Sequence, residues 1–211
     1  AYKIKKPVNL GFVDFSTLRL RRHFCEEELR LNRRLAPQLY DAVVEIRGTP
    51  DNPRVNGSGP VLDYAVKMRE FPQDALASRL LAADRFGAQQ IEQLAATIAA
   101  FHKSAAVATT GSAFGSPPTV LAPALQNFEQ LLPLLTASED RTVLAALRDW
   151  TEREHRARHA LFEERRGGGA VRECHGDLHL GNIVLVDDDL IPFDCIEFNP
   201  DLRWIDVMSE V

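Results

Sequence analysis

The first seventy residues switch between strand-like and helix-like patterns. Apolar and basic residues alternate over 2–8, which is the period of a half-buried strand. Ser16 is predicted to cap a helix that continues to Leu35. Residues 40–48 and 61–69 carry β-branched and apolar runs and are predicted as two further strands. A segment rich in proline, asparagine and glycine joins these two strands and predicts a turn.

After Pro72 the apolar spacing becomes helical. The segments predicted as helices are 74–83, 88–104, 119–135 and 138–163, the last closed by glycines at 167–169. Residues 171–198 return to strand and turn patterns. This order predicts an α+β chain with a partial N-terminal lobe over 1–71 (strand, helix, hairpin, hinge) and a C-terminal lobe over 72–211.

Composition and charge narrow the class of protein. A chain of 211 residues with 45% hydrophobic content can bury a core. The formal net charge of −5 argues against a nucleic-acid partner. Three scattered cysteines suit a reducing compartment. No apolar run approaches the roughly 18 residues that span a bilayer, and the start does not resemble a signal peptide. We therefore expect a cytoplasmic protein with no membrane partner.

The densest group of polar residues begins at His175 and reads His-Gly-Asp-Leu-His-Leu-Gly-Asn. Two apolar runs around a short acidic turn follow it, which is the pattern of a β-hairpin. If the hairpin is centred on Asp188, Asn182 and Asp194 face each other with Cβ atoms roughly 4.5–5.5 Å apart. An amide oxygen and a carboxylate at that separation suit Mg²⁺, which keeps other sites for water and phosphates.

Asp177 lies in the loop that leads into this hairpin. A carboxylate at that point could accept a proton from a substrate hydroxyl. Gly176 and Gly181 allow the backbone to turn sharply around it. Each of Asp177, Asn182 and Asp194 alone is read more simply as an ordinary turn residue. The three in this order, with a hairpin between them, favour function.

The run from His175 to Asn182, with Asp194 on the next strand, resembles the catalytic loop and metal-binding aspartate of the aminoglycoside phosphotransferases. These enzymes are relatives of the protein kinases. The resemblance implies a two-lobed protein-kinase-like fold, with a small sheet lobe that is incomplete here and a larger, mainly helical lobe that carries the catalytic hairpin. It implies ATP and Mg²⁺ as cofactors, Asp177 as the catalytic base, and Asn182 and Asp194 as metal ligands. His175 would orient the loop.

A kinase-like site also needs a cation on the nucleotide phosphates, held by a helix carboxylate. The family layout points to Lys3 or Lys5 of the opening strand, with Glu28 of the next helix as partner. Lys3 is the preferred candidate for the phosphate contact, and Lys5 remains a second candidate. The alternative interpretation is that both are solvated lysines of a strand with no role in binding. Lys67 follows Gly57-Ser58-Gly59 and is a competing candidate, but Pro60 favours a simple hairpin turn there.

Residues 66–72 resemble the hinge whose backbone meets adenine, with Met68 and Phe71 supplying apolar contact. Relative to the family, the first two strands and the glycine-rich loop would precede residue 1, and the last helices would follow residue 211. Segments 2–12 and 198–204 resemble a bacterial subfamily whose kinase-like domain is fused to a P-loop ATPase domain. We expect that domain, a possible partner, outside this chain.

The leading expectation is transfer of the ATP γ-phosphate to a hydroxyl of a small molecule. The main alternative is a regulatory module that binds ATP without turnover and controls a fused domain. Asp177 favours the enzyme, because a pure binder needs no base. Metal-dependent hydrolysis through His175, His179 and Asp177 is a third reading, but it leaves Asn182 and Asp194 unexplained.

Overall fold

The computed structural model describes residues 1–11, 13–109 and 111–210. Residues 12, 110 and 211 lie outside the described residues; the first belongs to the segment that resembles the fused subfamily, and the last two belong to the predicted C-terminal lobe. The chain divides into two compact units. One comprises Ala1–Ser104 with His175–Arg203, and the other comprises 105–174 with 204–210. These two units do not coincide with the predicted lobes 1–71 and 72–211, and the lobe boundary stays a prediction.

A four-stranded antiparallel sheet opens the first unit. Its strands are β1 (Tyr2–Ile4), β2 (Tyr40–Thr49), β3 (Asn52–Val55) and β4 (Val61–Met68), in the order β1-β4-β2-β3. The chain is thus mixed helix and strand, as the sequence pattern predicted. Strand β3 was not predicted and lies within the segment predicted as a turn. It pairs with β2 from Ile46↔Val55 to Thr49↔Asn52, so the turn itself is shorter than expected.

Helix α1 (Leu18–Asn32) begins one residue later than predicted. Thr17 rather than Ser16 caps it, because the Thr17 hydroxyl accepts the amide of Leu20 at 3.2 Å. The helix ends three residues before the predicted Leu35. Its buried residues, which include Cys25 and Glu28, face the sheet. Helices α2 (Ala77–Ala82) and α3 (Ala88–Ser104) follow, the second with the predicted bounds.

The predicted hairpin is present as two antiparallel strands of the first unit. Its register pairs Ile183 with Pro192 and Val186 with Asp189, so the turn is Asp187-Asp188. Both turn residues have positive φ (51° and 69°), as a two-residue type I′ turn requires. The turn centre therefore lies between 187 and 188 and not at Asp188.

That half-residue displacement corrects the predicted pairing across the hairpin. Asn182 lies opposite Phe193, whose amide donates to the Asn182 carbonyl at 2.9 Å. Asp194 is one residue further along the chain and is not directly opposed to Asn182. The hairpin packs against α1, β2 and β4 through a shared apolar cluster. Its buried members include Cys25, Leu39, Tyr40, Val66, Val184 and Ile191.

The α-helices in the described part of the second unit are α4 (Pro117–Leu131), α5 (Ser138–Ala157) and α6 (His159–Gly167). The helix predicted over 138–163 is broken at Arg158, whose φ of −103° and ψ of 8° leave the helical range. Strand β5 (Val171–Glu173) pairs antiparallel with β8 (Trp204–Asp206), and the hairpin strands of the first unit are β6 (Ile183–Val186) and β7 (Asp189–Pro192). Across the described ranges, none of the helices is both long and apolar enough to cross a membrane.

Candidate functional site

Lys3 lies in β1 and Lys5 directly follows its last residue, so the extended chain directs both lysines to the same side. Both reach the same carboxylate on α1. Lys3 Nζ lies 2.9 Å from Glu28 Oε1, and Lys5 Nζ lies 2.7 Å from Glu28 Oε2. Glu28 is completely buried, so its negative charge needs a neighbouring cation, and the two lysines supply it. The predicted pairing of Glu28 with the opening strand is thus present, and it involves both candidates.

Two carboxylates from the segment after the hairpin complete an ionic chain. Lys3 Nζ contacts Asp194 Oδ1 at 2.5 Å, and Lys5 donates to Glu197 Oε1. Lys5 and Glu197 are both buried, whereas the side chains of Lys3 and Asp194 are 39% and 38% exposed. The sequence analysis missed Glu197, because a lone Glu three residues beyond Asp194 belongs to no helical or strand period.

The charges of this chain shift one another's pKa values. Burial acts to lower the pKa of Lys3, but Glu28 and Asp194 outweigh burial and raise it above its ordinary value. The pKa of Lys5 is raised in the same way, since Glu28 and Glu197 outweigh its desolvation. Burial raises the pKa of Glu197, and Glu28 adds to the rise against the opposing effect of Lys5. Both lysines are therefore held in the charged form.

Side chains from α1 and β2 fix the backbone that carries Asp194. Its φ of 66° is in the left-handed region, which costs energy for a non-glycine residue. Its amide donates to the Tyr40 hydroxyl at 3.2 Å. The next amide, of Cys195, donates to Asn32 Oδ1 at 2.9 Å, and that of Ile196 donates to the His175 carbonyl at 3.0 Å. These bonds hold the strained turn in place.

Tyr40 and Asn32 are two further site residues that the sequence did not reveal. Both are almost completely buried, at 1% and 0% exposure. Burial raises the pKa of Tyr40, and the carboxylates of Glu28 and Asp194 raise it further, so its hydroxyl stays protonated. A buried polar side chain with a bonded partner looks like any core residue in a single sequence. Only the fold shows that these two contact the Asp194 segment.

His175 braces the loop that carries Asp177. The ring is fully buried, and its two nitrogens bond in opposite senses. Nε2 donates to the carbonyl of Phe193 at 2.8 Å, and Nδ1 accepts the amide of Asp177 at 3.3 Å. These contacts fit the predicted orienting role. Gly176 turns the loop with φ of 89°, and an added Cβ would lie 2.8 Å from the carbonyl oxygen of Leu202.

Asp177 projects into solvent beside Asn182 and His179. Asn182 Nδ2 donates both to the Asp177 carbonyl and to Asp177 Oδ2, each at 3.0 Å. His179 Nε2 lies 3.6 Å from the same carboxylate. Asp177 is 53% exposed, so one carboxylate oxygen can receive a proton while the amide of Asn182 fixes the other.

A cavity of about 640 Å³ in the first unit is lined by half of the predicted site residues. Lys3, Lys5, Asp177 and Asp194 line it. Glu28 and Asn182 contact these residues. Glu28 pairs with the two lysines, and Asn182 donates a hydrogen bond to Asp177. The predicted lysine, base and metal aspartate therefore share one space.

A family model described as the phosphotransferase enzyme family matches residues 14–208. The chain belongs to this family. The predicted membership of the aminoglycoside phosphotransferase family is confirmed. Uncharacterized proteins of Mycobacterium tuberculosis and Mycobacterium bovis are each 27% identical over 210 residues. Each alignment covers 100% of this chain and 41% of the relative, so the chain spans about two fifths of those proteins. No solved structure matches this chain significantly.

The predicted adenine contacts, Met68 and Phe71, are not among the residues that line the cavity. The side chains of Met68 and Phe71 pack against the apolar cluster of the first unit. The backbone amide and carbonyl of Met68 bond to Ala1 at 2.9 and 2.8 Å. The ring of Phe71 meets that of Phe193 edge-on, with centroids 5.2 Å apart. Their contact with adenine stays a prediction.

The donor atoms around the cavity suit the divalent cation that this family generally uses. Asp194 and Asp177 offer carboxylate oxygens that are 38% and 53% exposed. Asn182 turns its Nδ2 toward Asp177, so its amide oxygen remains as a third hard donor. Oxygen donors of this kind are the ligands that Mg²⁺ prefers. The residues present therefore fit the cation.

Proposed function

We propose that this protein transfers the γ-phosphoryl group of ATP, with Mg²⁺, to a hydroxyl of a small molecule. The observation that carries the proposal is the shared cavity. It is lined by the exposed carboxylate of Asp177 and by the Lys3–Asp194 ion pair, in which Nζ lies 2.5 Å from Oδ1. A kinase-type transfer needs a cation on the phosphates, a metal-binding carboxylate and a group that accepts the hydroxyl proton. All three kinds of side chain line this one space.

We assign the phosphate contact to Lys3 rather than Lys5. The Lys3 side chain is 39% exposed and lines the cavity beside Asp194, so its ammonium group can reach a ligand. Lys5 is 4% exposed and is held by two carboxylates, Glu28 and Glu197. Moving Lys5 onto a phosphate would leave those buried charges uncompensated. Glu28 would then position Lys3, as the helix carboxylate does in kinases.

In the proposed reaction Asp177 accepts the proton of the acceptor hydroxyl. The hydroxyl oxygen forms a bond to the γ-phosphorus as the bond from that phosphorus to the β–γ bridging oxygen breaks, and ADP leaves. Asn182 holds Asp177 through two bonds of 3.0 Å and so fixes the direction of the carboxylate. Mg²⁺, held by Asp194 and Asn182, would neutralise charge on the phosphates. Lys3 would neutralise more of that charge.

The proposal includes a two-lobed, protein-kinase-like arrangement of the chain. The sheet of the first unit, α1 and residues up to 71 would form the partial small lobe of a protein-kinase-like fold, and 72–211 the larger lobe. ATP and a small hydroxyl-bearing substrate would be the ligands. Fusion to a P-loop ATPase domain concerns sequence outside this chain and stays a prediction.

The test compares three aspartate variants, with nucleotide affinity measured by a fluorescent ATP analogue and transfer measured by product formation. Asp194→Ala should weaken Mg-ATP binding and abolish transfer, because it removes the charged metal ligand. Asp177→Asn should leave Mg-ATP affinity within a few fold and slow transfer by about 10²–10⁴, the usual contribution of a general base. Asp188→Asn, an exposed turn position of the same hairpin, is the control and should behave as wild type.

Two results would count against the proposal. An Asp177→Asn variant as active as wild type would remove Asp177 from the reaction. ATP binding that depends on Asp194, with no transfer to any acceptor, would favour a regulatory nucleotide-binding module instead.

A further inference from the structure

The cavity has a second wall that the phosphoryl-transfer residues do not use. It is formed by residues 8–11 and 13–15 between β1 and α1, here together called the 8–15 loop, and by Ile196 and Phe198 from the segment after Asp194. The loop side chains that line the cavity are all apolar: Val8, Leu10, Val13 and Phe15. Apolar lining with a few convergent polar groups is typical of small-molecule sites, and about 640 Å³ lies within their usual volume range.

The 8–15 loop is held in shape by its own backbone bonds. The amide of Phe15 donates to the carbonyl of Val8 at 2.8 Å, and that of Leu10 donates to the carbonyl of Val13 at 2.9 Å. Val13 is buried, and the Phe15 ring packs edge-on against Phe24 with centroids 5.3 Å apart. Leu10, in contrast, is 59% exposed. The loop therefore presents a fixed apolar surface with one leucine directed away from the core.

The acceptor must reach into this same cavity if Asp177 is its base. A general base acts within roughly 2.6–3.2 Å of the proton-bearing oxygen, so the rest of the acceptor lies within a few ångströms of Asp177. In the proposed function, the polar part of the lining with Lys3 and Asp194 binds the phosphates and Mg²⁺ of the nucleotide. Most of the remaining lining is the apolar wall, which the body of the acceptor would then contact.

Charge in the cavity disfavours an acceptor with several ammonium groups. Of the described residues that line it, three are acidic: Asp177, Asp194 and Glu197. Asp194 and Glu197 already pair with Lys3 and Lys5, and Lys6 adds a further ammonium group to the lining. A polycation would find one carboxylate without a lysine partner and would meet like charge.

We infer that the 8–15 loop is an acceptor-binding wall, and that the acceptor is an alcohol with an apolar body and no cluster of positive charges. The inference rests on the proposed phosphoryl transfer for the placement of the hydroxyl. It assigns the loop a role in specificity, and it separates this protein from enzymes that act on polycationic amino sugars.

The test uses 4-phenylbutan-1-ol, glycerol and kanamycin as probes of the three acceptor classes. With methyl-labelled protein and Mg-ATP, 4-phenylbutan-1-ol should shift the NMR signals of Leu10 and Val13 and leave that of Leu81, which is 49% exposed on α2, unchanged. Phosphorylated product, followed by mass spectrometry, should form from 4-phenylbutan-1-ol in preference to the other two. Leu10→Glu should raise the KM for this alcohol by about tenfold or more, since one apolar contact is worth roughly 10–200-fold in a pocket. Leu81→Glu is the matched control and should not change KM.

The outcomes separate the two proposals. No shift at Leu10, an equal shift at Leu81, or an unchanged KM in Leu10→Glu overturns the acceptor wall even if transfer occurs. Preferred phosphorylation of kanamycin or glycerol overturns it as well. A shift confined to the 8–15 loop, without phosphorylated product from any acceptor, overturns the phosphotransferase proposal and with it the loop's role as an acceptor wall.

Discussion

Lys3 in β1 and Lys5 just after it share the Glu28 carboxylate, yet their surroundings differ. Lys3 is 39% exposed, lines the cavity and pairs with a half-exposed Asp194. Lys5 is 4% exposed and lies between two buried carboxylates. An ion pair open to water gains little stability because solvent screens it, whereas breaking a buried pair leaves a desolvated charge.

The comparison shows how one short strand can serve two purposes. The buried Lys5 compensates Glu28 whether or not Lys3 remains beside it. Lys3 is then able to exchange Asp194 for a phosphate while Glu28 positions it, and a weaker Lys3–Glu28 contact still leaves Glu28 compensated by Lys5. On this view Lys5 stabilises the fold and Lys3 acts on the ligand, and the two roles can be separated by substitution.

The largest effect is expected for Lys5→Met. It leaves Glu28 and Glu197 buried without their shared cation, which costs about 3–5 kcal/mol of unfolding free energy. Urea denaturation followed by circular dichroism measures this loss. Lys67→Met, at an exposed lysine of the same sheet that pairs with Asp41, is the control and should leave the urea midpoint close to that of wild type. Equal midpoints for the two variants would contradict the buried role of Lys5.

Lys3→Met sharpens the comparison from the opposite side. Stability should fall by less than about 1 kcal/mol, because the half-exposed pair is screened. Phosphoryl transfer should slow by about 10²–10³, the usual cost of removing one group that stabilises transition-state charge. Denaturation and product formation are measured on the same preparation. A Lys3→Met variant that loses stability as Lys5→Met does, while keeping its transfer rate, would reverse our assignment.

The smallest effect concerns the ion pair of the second unit, which has intermediate exposure. Arg165 Nε and Nη2 contact the two oxygens of Asp206 at 2.5 and 2.7 Å. Burial acts to raise the pKa of Asp206, but hydrogen bonds from Arg165 and the Met208 amide hold it below its ordinary value of 3.8. A carboxyl with a lowered folded pKa adds stability above the unfolded pKa and loses it as the pH falls through the folded pKa.

Asp206→Asn should therefore destabilise the protein at pH 7 by at most about 1 kcal/mol, since solvent screens the pair. The difference from wild type should shrink as the pH falls below 3.8, which urea midpoints over an acid series would show. A difference that stays constant down to the lowest pH would mean that packing, rather than charge, accounts for the effect.

The local features of this fold are well encoded in sequence. Helix α3 was predicted with its observed bounds, and the hairpin followed from two apolar runs around an acidic turn. The register was wrong, because a single sequence does not distinguish a two-residue turn from one centred on Asp188. The break at Arg158 was missed for a similar reason: no proline or glycine marks it, and the chain leaves the helix through backbone angles alone.

The site residues also differ in whether the local sequence pointed to them. Lys3, Asp177 and Asp194 were predicted as site residues because their residue types occur at spacings that a known family shares, and the fold places all three in the lining of one cavity. Tyr40, Asn32 and Glu197 were not identified. They act through buried contacts with chain segments more than 150 residues away in sequence, and no local pattern records such a contact.

By itself, the sequence determined the family, the mixed helix and strand content and the residues that carry the candidate chemistry, because composition, period and motif spacing are local properties. The tertiary structure alone decided which lysine is buried, what fixes the strained turn at Asp194, and that apolar side chains of the 8–15 loop line the same cavity as Asp177. Burial and through-space charge depend on which distant segments meet, and they set both the stability of an ion pair and its freedom to bind a ligand.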